Sequence, residues 1–295
     1  MAFNLQTFKT RTLTAIIFAV VMLTGLLWNH WSFFVLFSII HFGCWWEYFN
    51  LLEKIYNTTY HRYTRFGFML IGYALMLWFC GAAYEIKDYS LKENLSFPVS
   101  IAGFVFLVMG IFQKNKISLK SFGVAALGLV YISLCWGLMM DLYRETDIHS
   151  HDTIFVLAAN YFPLIIIASI WINDTMAYIV GSFIGRTPLS KVSPKKTWEG
   201  TIGGIILSGL LMYFLWNKLV YSSPDSSLNI IVGVIAVIAS ITGTFGDLFE
   251  SKLKRMAGVK DSGSFMPGHG GFLDRFDSLL FAIPAVWLFI YFIVR

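Results

Sequence analysis

Long apolar runs separated by short polar segments pattern the chain from end to end. The runs cover roughly residues 12–28, 32–52, 66–84, 97–112, 122–140, 155–184, 201–221, 228–250 and 276–294. A helix needs about 20 mainly apolar residues to cross the hydrocarbon of a bilayer. Inside lipid only helices and closed barrels satisfy every backbone N–H and C=O, and these runs are continuous where barrel strands would alternate. The pattern predicts an all-α integral membrane protein, a polytopic bundle of about nine transmembrane helices. Lys9 and Arg11 precede the first run as they would in a signal peptide. Its apolar part is long and no small-x-small cleavage site follows, so an uncleaved anchor is expected.

Composition sharpens this picture. Of 295 residues, 57% are hydrophobic and only 13% charged, against about 25% charged in an average soluble domain. That excludes a disordered chain, a disulfide scaffold and an ordinary soluble enzyme. Cys44, Cys80 and Cys135 each sit within an apolar run and read as small buried hydrophobes. With nine spans, alternate loops fall on opposite sides of the membrane. One side then carries 17 of the 22 basic residues and the other the remaining 5. Positive loops stay inside, so the amino terminus is expected in the cytoplasm. Residues 1–150 read as membrane helices without a motif. Residues 151–295 read as a catalytic core with cytoplasmic loops at 186–200 and 251–275.

Polar chemistry concentrates after residue 170. Asp174 lies deep in an apolar run, where an ionisable group is costly and usually faces a cavity or a partner. Tyr178, Gly181 and Gly185 share its face at helical spacing. This strip lines a site, the alternative being a packing face with a capped carboxylate. Lys195 and Lys196 follow in SPKKTWEG, residues 193–200. They suit either an anionic lipid surface or a substrate phosphate. A short membrane loop offers no wider basic surface, so no nucleic acid is expected as a partner.

The segment 246–278, GDLFESKLKRMAGVKDSGSFMPGHGGFLDRFDS, is richer. Asp247, Ser251 and Lys254 fall on one helix face, and Arg255 and Lys260 extend a cationic patch. Glycines 263, 268, 270 and 271 let backbone approach a ligand closely. Asp274 and Asp277 sit one turn apart, with Arg275 between them. Carboxylates framing basic residues suit magnesium beside a polyphosphate, since magnesium typically takes one or two carboxylates plus substrate phosphates. His269 reads as a phosphate donor, with a proton shuttle or a plain turn residue as the alternatives. A separate group, Asp147, His149, His151 and Asp152, reads as a solvated outer loop.

At these residues the chain resembles the phosphatidate cytidylyltransferase (CDP-diacylglycerol synthase) family. The resemblance rests on Ser251, Lys254-Arg255, Lys260-Asp261, His269-Gly270-Gly271 and Asp274-Arg275-Phe276-Asp277. Upstream it includes Asp174 with Ala177-Tyr178, and Ser193-Pro194-Lys195-Lys196-Thr197 with Glu199-Gly200. Met266 stands where the family usually has another apolar residue. The resemblance implies that CTP and phosphatidate give CDP-diacylglycerol and pyrophosphate, with Mg2+ and a monovalent cation such as K+ as cofactors. It implies Asp247 and Asp274 as metal ligands, with Asp277 and Asp261 behind them. Lys254, Arg255, Lys260, Lys195 and Lys196 would clamp phosphates; Ser251, Arg275 and Asp174 would line the substrate site. Expected partners are CTP, phosphatidate, the bilayer and a second copy of the chain, at the inner (plasma) membrane with the active site facing the cytoplasm. The rival readings are a cytidylyltransferase or lipid kinase with a different lipid acceptor, and, more remotely, a transporter.

Overall fold

A computed structural model describes residues 5–113, 118–143, 161–219, 226–265 and 270–294. Its helices are α1 (Leu5–Leu27), α2 (His30–Tyr56), α3 (Arg62–Trp78), α4 (Ser96–Ile111), α5 (Leu119–Gly128), α6 (Cys135–Leu142), α7 (Phe162–Ile184), α8 (Trp198–Leu219), α9 (Ser226–Met256) and α10 (Leu273–Phe289). A hairpin of two-residue strands, β1 (Glu85–Ile86) and β2 (Tyr89–Ser90), separates α3 from α4. Wider turns prolong α4 backward to Leu91 and join α5 to α6. Seven helical segments among the described residues are long and apolar enough to cross a membrane. The protein is an all-α membrane protein. All nine expected runs contain helix, but Thr12–Leu27 is a shorter apolar helix and α3 spans only 17 residues.

Local chemistry explains where several helices begin and end. Asn29 Oδ1 accepts the Ser32 N–H at 2.7 Å while Ser32 Oγ accepts the Asn29 N–H at 3.1 Å, a reciprocal cap on α2. Asn57 closes the same helix with a left-handed backbone, φ 48°. The apolar run 228–250 understates α9, which passes Asp247 without a break and ends at Met256. Nothing between Asp247 and Met256 stops a helix, because Leu, Glu, Lys and Arg are good helix formers. Gly258, at φ +68°, turns the chain, and the Val259 N–H returns to the Lys254 carbonyl at 3.0 Å.

The chain divides into two compact units. The first comprises residues 1–141 and 253–276, the second 142–252 and 277–295. The segment 253–276 is thus grouped with the amino-terminal helices.

In the first unit, buried aromatics form the core. Trp136 lies 5.2 Å from Phe37 and 5.7 Å from Phe276 between ring centroids. Ser133 Oγ accepts the Trp45 indole N–H at 2.8 Å and meets His41 Nε2 at 3.0 Å, and it is packed against Gly72. A polar group in an apolar interior needs such partners.

In the second unit, α7 and α8 approach closely because small residues face each other. A methyl group on Gly204 would lie 2.8 Å from Ala177 Cβ, and one on Gly203 2.7 Å from Val180. This is the usual way membrane helices associate, since lipid leaves little hydrophobic drive between them. Gly246 of α9 lies against the Asp277 backbone carbonyl, so these two helices also pack backbone to backbone.

Candidate functional site

The carboxylates and lysines expected to do chemistry fall into two clusters, one in each unit. In the second unit, residues 186–197 fold back as a strap. Pro188 and Thr197 form a bridge, the Trp198 N–H reaches the Thr187 carbonyl at 2.9 Å, and the Leu189 N–H reaches the Lys196 carbonyl at 2.8 Å. Glu199, in the first turn of α8, accepts the Arg186 and Thr187 N–H groups at 3.1 and 3.2 Å. The strap delivers Lys196, whose Nζ stands 2.8 Å from Asp247 Oδ2 on α9. Both side chains are partly exposed, so the pair faces a space and is not sealed in the core.

That space is a cleft of about 400 Å³ lined by Asp174, Tyr178, Lys195, Lys196, Thr244 and Asp247 among others. Asp174 therefore borders this cleft. Its Oδ1 lies 3.5 Å from Asn173 Nδ2. Burial is the largest influence on the Lys196 ammonium and lowers its pKa. Asp247, then Asp174 and Asp277, outweigh it, and the net shift is upward from 10.5. Asp277 is itself buried, and its Oδ1 accepts the Ser278 N–H at 2.6 Å. Three carboxylates thus act on one ammonium. Lys195 is exposed at the cleft.

The second cluster, in the first unit, centres on Asp274 in the first turn of α10. Its Oδ1 is 2.7 Å from Lys254 Nζ. Its Oδ2 accepts the Ser262 N–H at 2.9 Å and the Gly271 N–H at 2.8 Å. Gly270 holds φ +83°, a conformation costly for any residue with a side chain, and a Cβ there would also crowd the Asp274 carboxylate. Arg255, Lys260, Asp261 and Arg275 are exposed. Asp261 borders an open cavity of about 690 Å³ with Asn50, Glu53, Asn57 and Thr58. Ser251 occupies α9 between Asp247 and Lys254, half-buried. His269 lies outside the described residues, as do Asp147, His149, His151 and Asp152.

One residue of this cluster escaped the sequence reading. Glu47, in α2, is buried beside the loop that carries Ser262 and Gly271. The signal was available: an acid inside the apolar run FGCWWEYFNLL is the same anomaly that marks Asp174. Nothing in the sequence said which distant loop it serves.

Among the described residues no three His, Cys, Asp or Glu side chains gather tightly enough to enclose a metal by themselves. Magnesium does not ask for that, since it commonly keeps waters and takes substrate phosphates as ligands. In the second unit Asp174, Asp247 and Asp277 outnumber Lys195 and Lys196, so the donor set fits a hard cation. Asp274 fits less directly, because Lys254 and two backbone N–H groups already engage both its oxygens.

Comparison with known proteins identifies the chain's family. A model described as the cytidylyltransferase family matches residues 9–293. The chain is 30% identical over 279 residues to the phosphatidate cytidylyltransferase of Staphylococcus saprophyticus, covering 94% of this chain and 96% of that one. It is 34% identical to the Thermotoga maritima protein of the same name over 215 residues, 70% of this chain and 74% of that one. The Bacillus subtilis enzyme of that name is 35% identical over 212 residues, 72% of this chain and 71% of its own. The match takes in the first 150 residues, which show no motif when read alone.

Proposed function

The chain belongs to the cytidylyltransferase family, and from that premise we propose that it transfers the cytidylyl group of CTP to phosphatidate. The products are CDP-diacylglycerol, for phospholipid biosynthesis, and pyrophosphate. The observation that carries this reading is the Lys196–Asp247 pair in a cleft at the foot of a cationic strap. A phosphate oxygen of phosphatidate is already ionised near neutral pH, so the attack on the α-phosphorus of CTP needs no strong general base. What the reaction needs is alignment of two anionic substrates and neutralisation of charge as pyrophosphate leaves.

Lys195 and Lys196 supply fixed positive charge for phosphate oxygens, and the resemblance gives Lys254, Arg255 and Lys260 a phosphate-binding role as well. Pairing with Asp247 and Asp274 holds two of these ammonium groups in place before substrate arrives, which lowers the reorganisation the reaction must undergo. Magnesium, held by Asp247, would neutralise the polyphosphate and polarise the phosphoryl oxygens. The resemblance also assigns Asp274 to the metal; the structure supports a carboxylate there that orients Lys254. His269 is proposed as a phosphate donor. In the membrane, we read nine spans with the amino terminus and both basic loops on the cytoplasmic side, where CTP is found.

The deciding experiment supplies purified protein with labelled CTP and phosphatidate, with and without Mg2+. Mg2+-dependent CDP-diacylglycerol is expected. No labelled lipid from phosphatidate, with label instead on a polyprenyl phosphate, would assign the chain a different acceptor.

A further inference from the structure

We propose that Glu47 is a positioning residue for this transfer reaction, its buried carboxylate fixing Ser262 and the start of α10 and, through Ser262, the placement of Asp274. Glu47 Oε2 accepts the Ser262 hydroxyl at 2.7 Å and the Leu273 N–H at 2.9 Å, and Oε1 accepts the Phe272 N–H at 2.9 Å. Phe272 and Leu273 open α10, where backbone N–H groups have no partner within the helix and an anion is favoured. One carboxylate of α2 thus ties down both arms of the loop, the arm at 262 and the arm at 272.

Ser262 passes the constraint on. While its hydroxyl donates to Glu47, its oxygen receives the Asp274 N–H at 3.3 Å and its own N–H donates to Asp274 Oδ2. Asp274 in turn holds Lys254, so four residues from three parts of the chain share one network. The fit around Glu47 is close: a methyl group on either Gly263 or Gly271 would run into its carboxylate. One turn earlier on α2, Gly43 makes room for the Phe272 ring, which itself lies 4.1 Å from the Phe265 ring across the loop. These glycines are explained by Glu47 and Phe272, with no need for a ligand at their positions. Glutamine at 47 keeps the size but turns an acceptor oxygen into a donor facing N–H groups, which leaves a buried mismatch.

The inference rests on the proposed transfer reaction, so wild-type activity is the first arm of its test. Wild-type protein that makes no CDP-diacylglycerol sinks that reading; an active wild type with an indifferent Glu47 variant sinks this one alone. Glu47→Gln should lower kcat about 100-fold and Ser262→Ala about 10-fold, each with the KM for CTP within about threefold. Because both act through one network, the double variant should fall about 100- to 200-fold, short of the roughly 1,000-fold product of independent effects. A merely structural role would lower the amount of folded protein and leave kcat per folded molecule unchanged. Glu47→Gln that elutes as folded protein with kcat within about twofold of wild type overturns the proposal, and so does a multiplicative double variant. Should Glu47→Gln fail to fold, Gly263→Ala presses on the same carboxylate from the loop side. Gly263→Ala and Ser262→Ala must then both lower kcat, and wild-type kcat in either one overturns the proposal.

Discussion

Lys196 Nζ meets Asp247 Oδ2 at 2.8 Å, joining a loop lysine to a carboxylate two-thirds of the way along a 31-residue helix. The pair stands at a cleft that also holds Asp174, and Asp277 adds to the field on the ammonium. Asp247→Asn retains the shape and removes one charge, so its main effect should be on activity. A loss of about 100-fold in kcat/KM is expected, on the order of 3 kcal/mol of transition-state stabilisation. Half-saturation by Mg2+ should move to higher concentration. An unchanged Mg2+ titration in Asp247→Asn would remove that residue from the metal site.

Lys196→Gln tests the charge balance of the cleft. It removes the ammonium on which Asp247, Asp174 and Asp277 act, so it should lower the melting temperature as well as the activity. Asp247→Asn also removes the main partner of Lys196 but relieves repulsion from Asp174 and Asp277, so it should lower melting by less than Lys196→Gln. Melting curves in detergent for the two variants should diverge in size; equal destabilisation would contradict the charge balance drawn above.

The upward shift of Lys196 has a defined pH consequence. A lysine whose folded pKa exceeds its unfolded value of 10.5 contributes stability that is fully present below 10.5 and is lost as pH rises through the folded pKa. Wild-type protein should therefore lose melting temperature above pH 10.5 more steeply than Lys196→Gln. Between pH 6 and 9 this group stays charged and imposes no pH dependence. Parallel alkaline melting curves for both proteins would count against the shift.

Two glycines with positive φ should respond differently to alanine. Gly258, at φ +68°, has open space around a would-be Cβ, whereas Gly270, at φ +83°, faces the Asp274 carboxylate. Gly258→Ala should cost about 1–2 kcal/mol of stability through backbone strain alone and leave kcat near wild type. Gly270→Ala should cost similar stability and also reduce kcat by displacing Asp274. Stability and turnover measured side by side decide this.

Topology is testable with single cysteines at Ser193 and Asp88, after the native Cys44, Cys80 and Cys135 are replaced. In right-side-out vesicles an impermeant thiol reagent should label position 88 and spare position 193. The reverse pattern would invert the orientation and deny the cationic strap access to cytosolic CTP.

Hydropathy alone determined that the chain is helical and membrane-embedded, because lipid leaves a continuous apolar run no other way to satisfy its backbone. Periodicity and charge singled out Asp174, Asp247 and Lys254, since a charge in or beside an apolar run must have a compensating surrounding. Helix ends were less legible: α9 runs on past Asp247 to Met256, as polar helix formers look like loop on a hydropathy scale. The pairing of Lys196 with Asp247, and of Lys254 with Asp274, depended on how the strap and the glycine loop fold back. No spacing rule relates residues 51 or 20 positions apart in such segments. The role of α2 was beyond the sequence altogether. Glu47 reaches Ser262, Phe272 and Leu273 more than 200 positions away, and only packing can bring a carboxylate from one helix to the orphaned N–H groups of another.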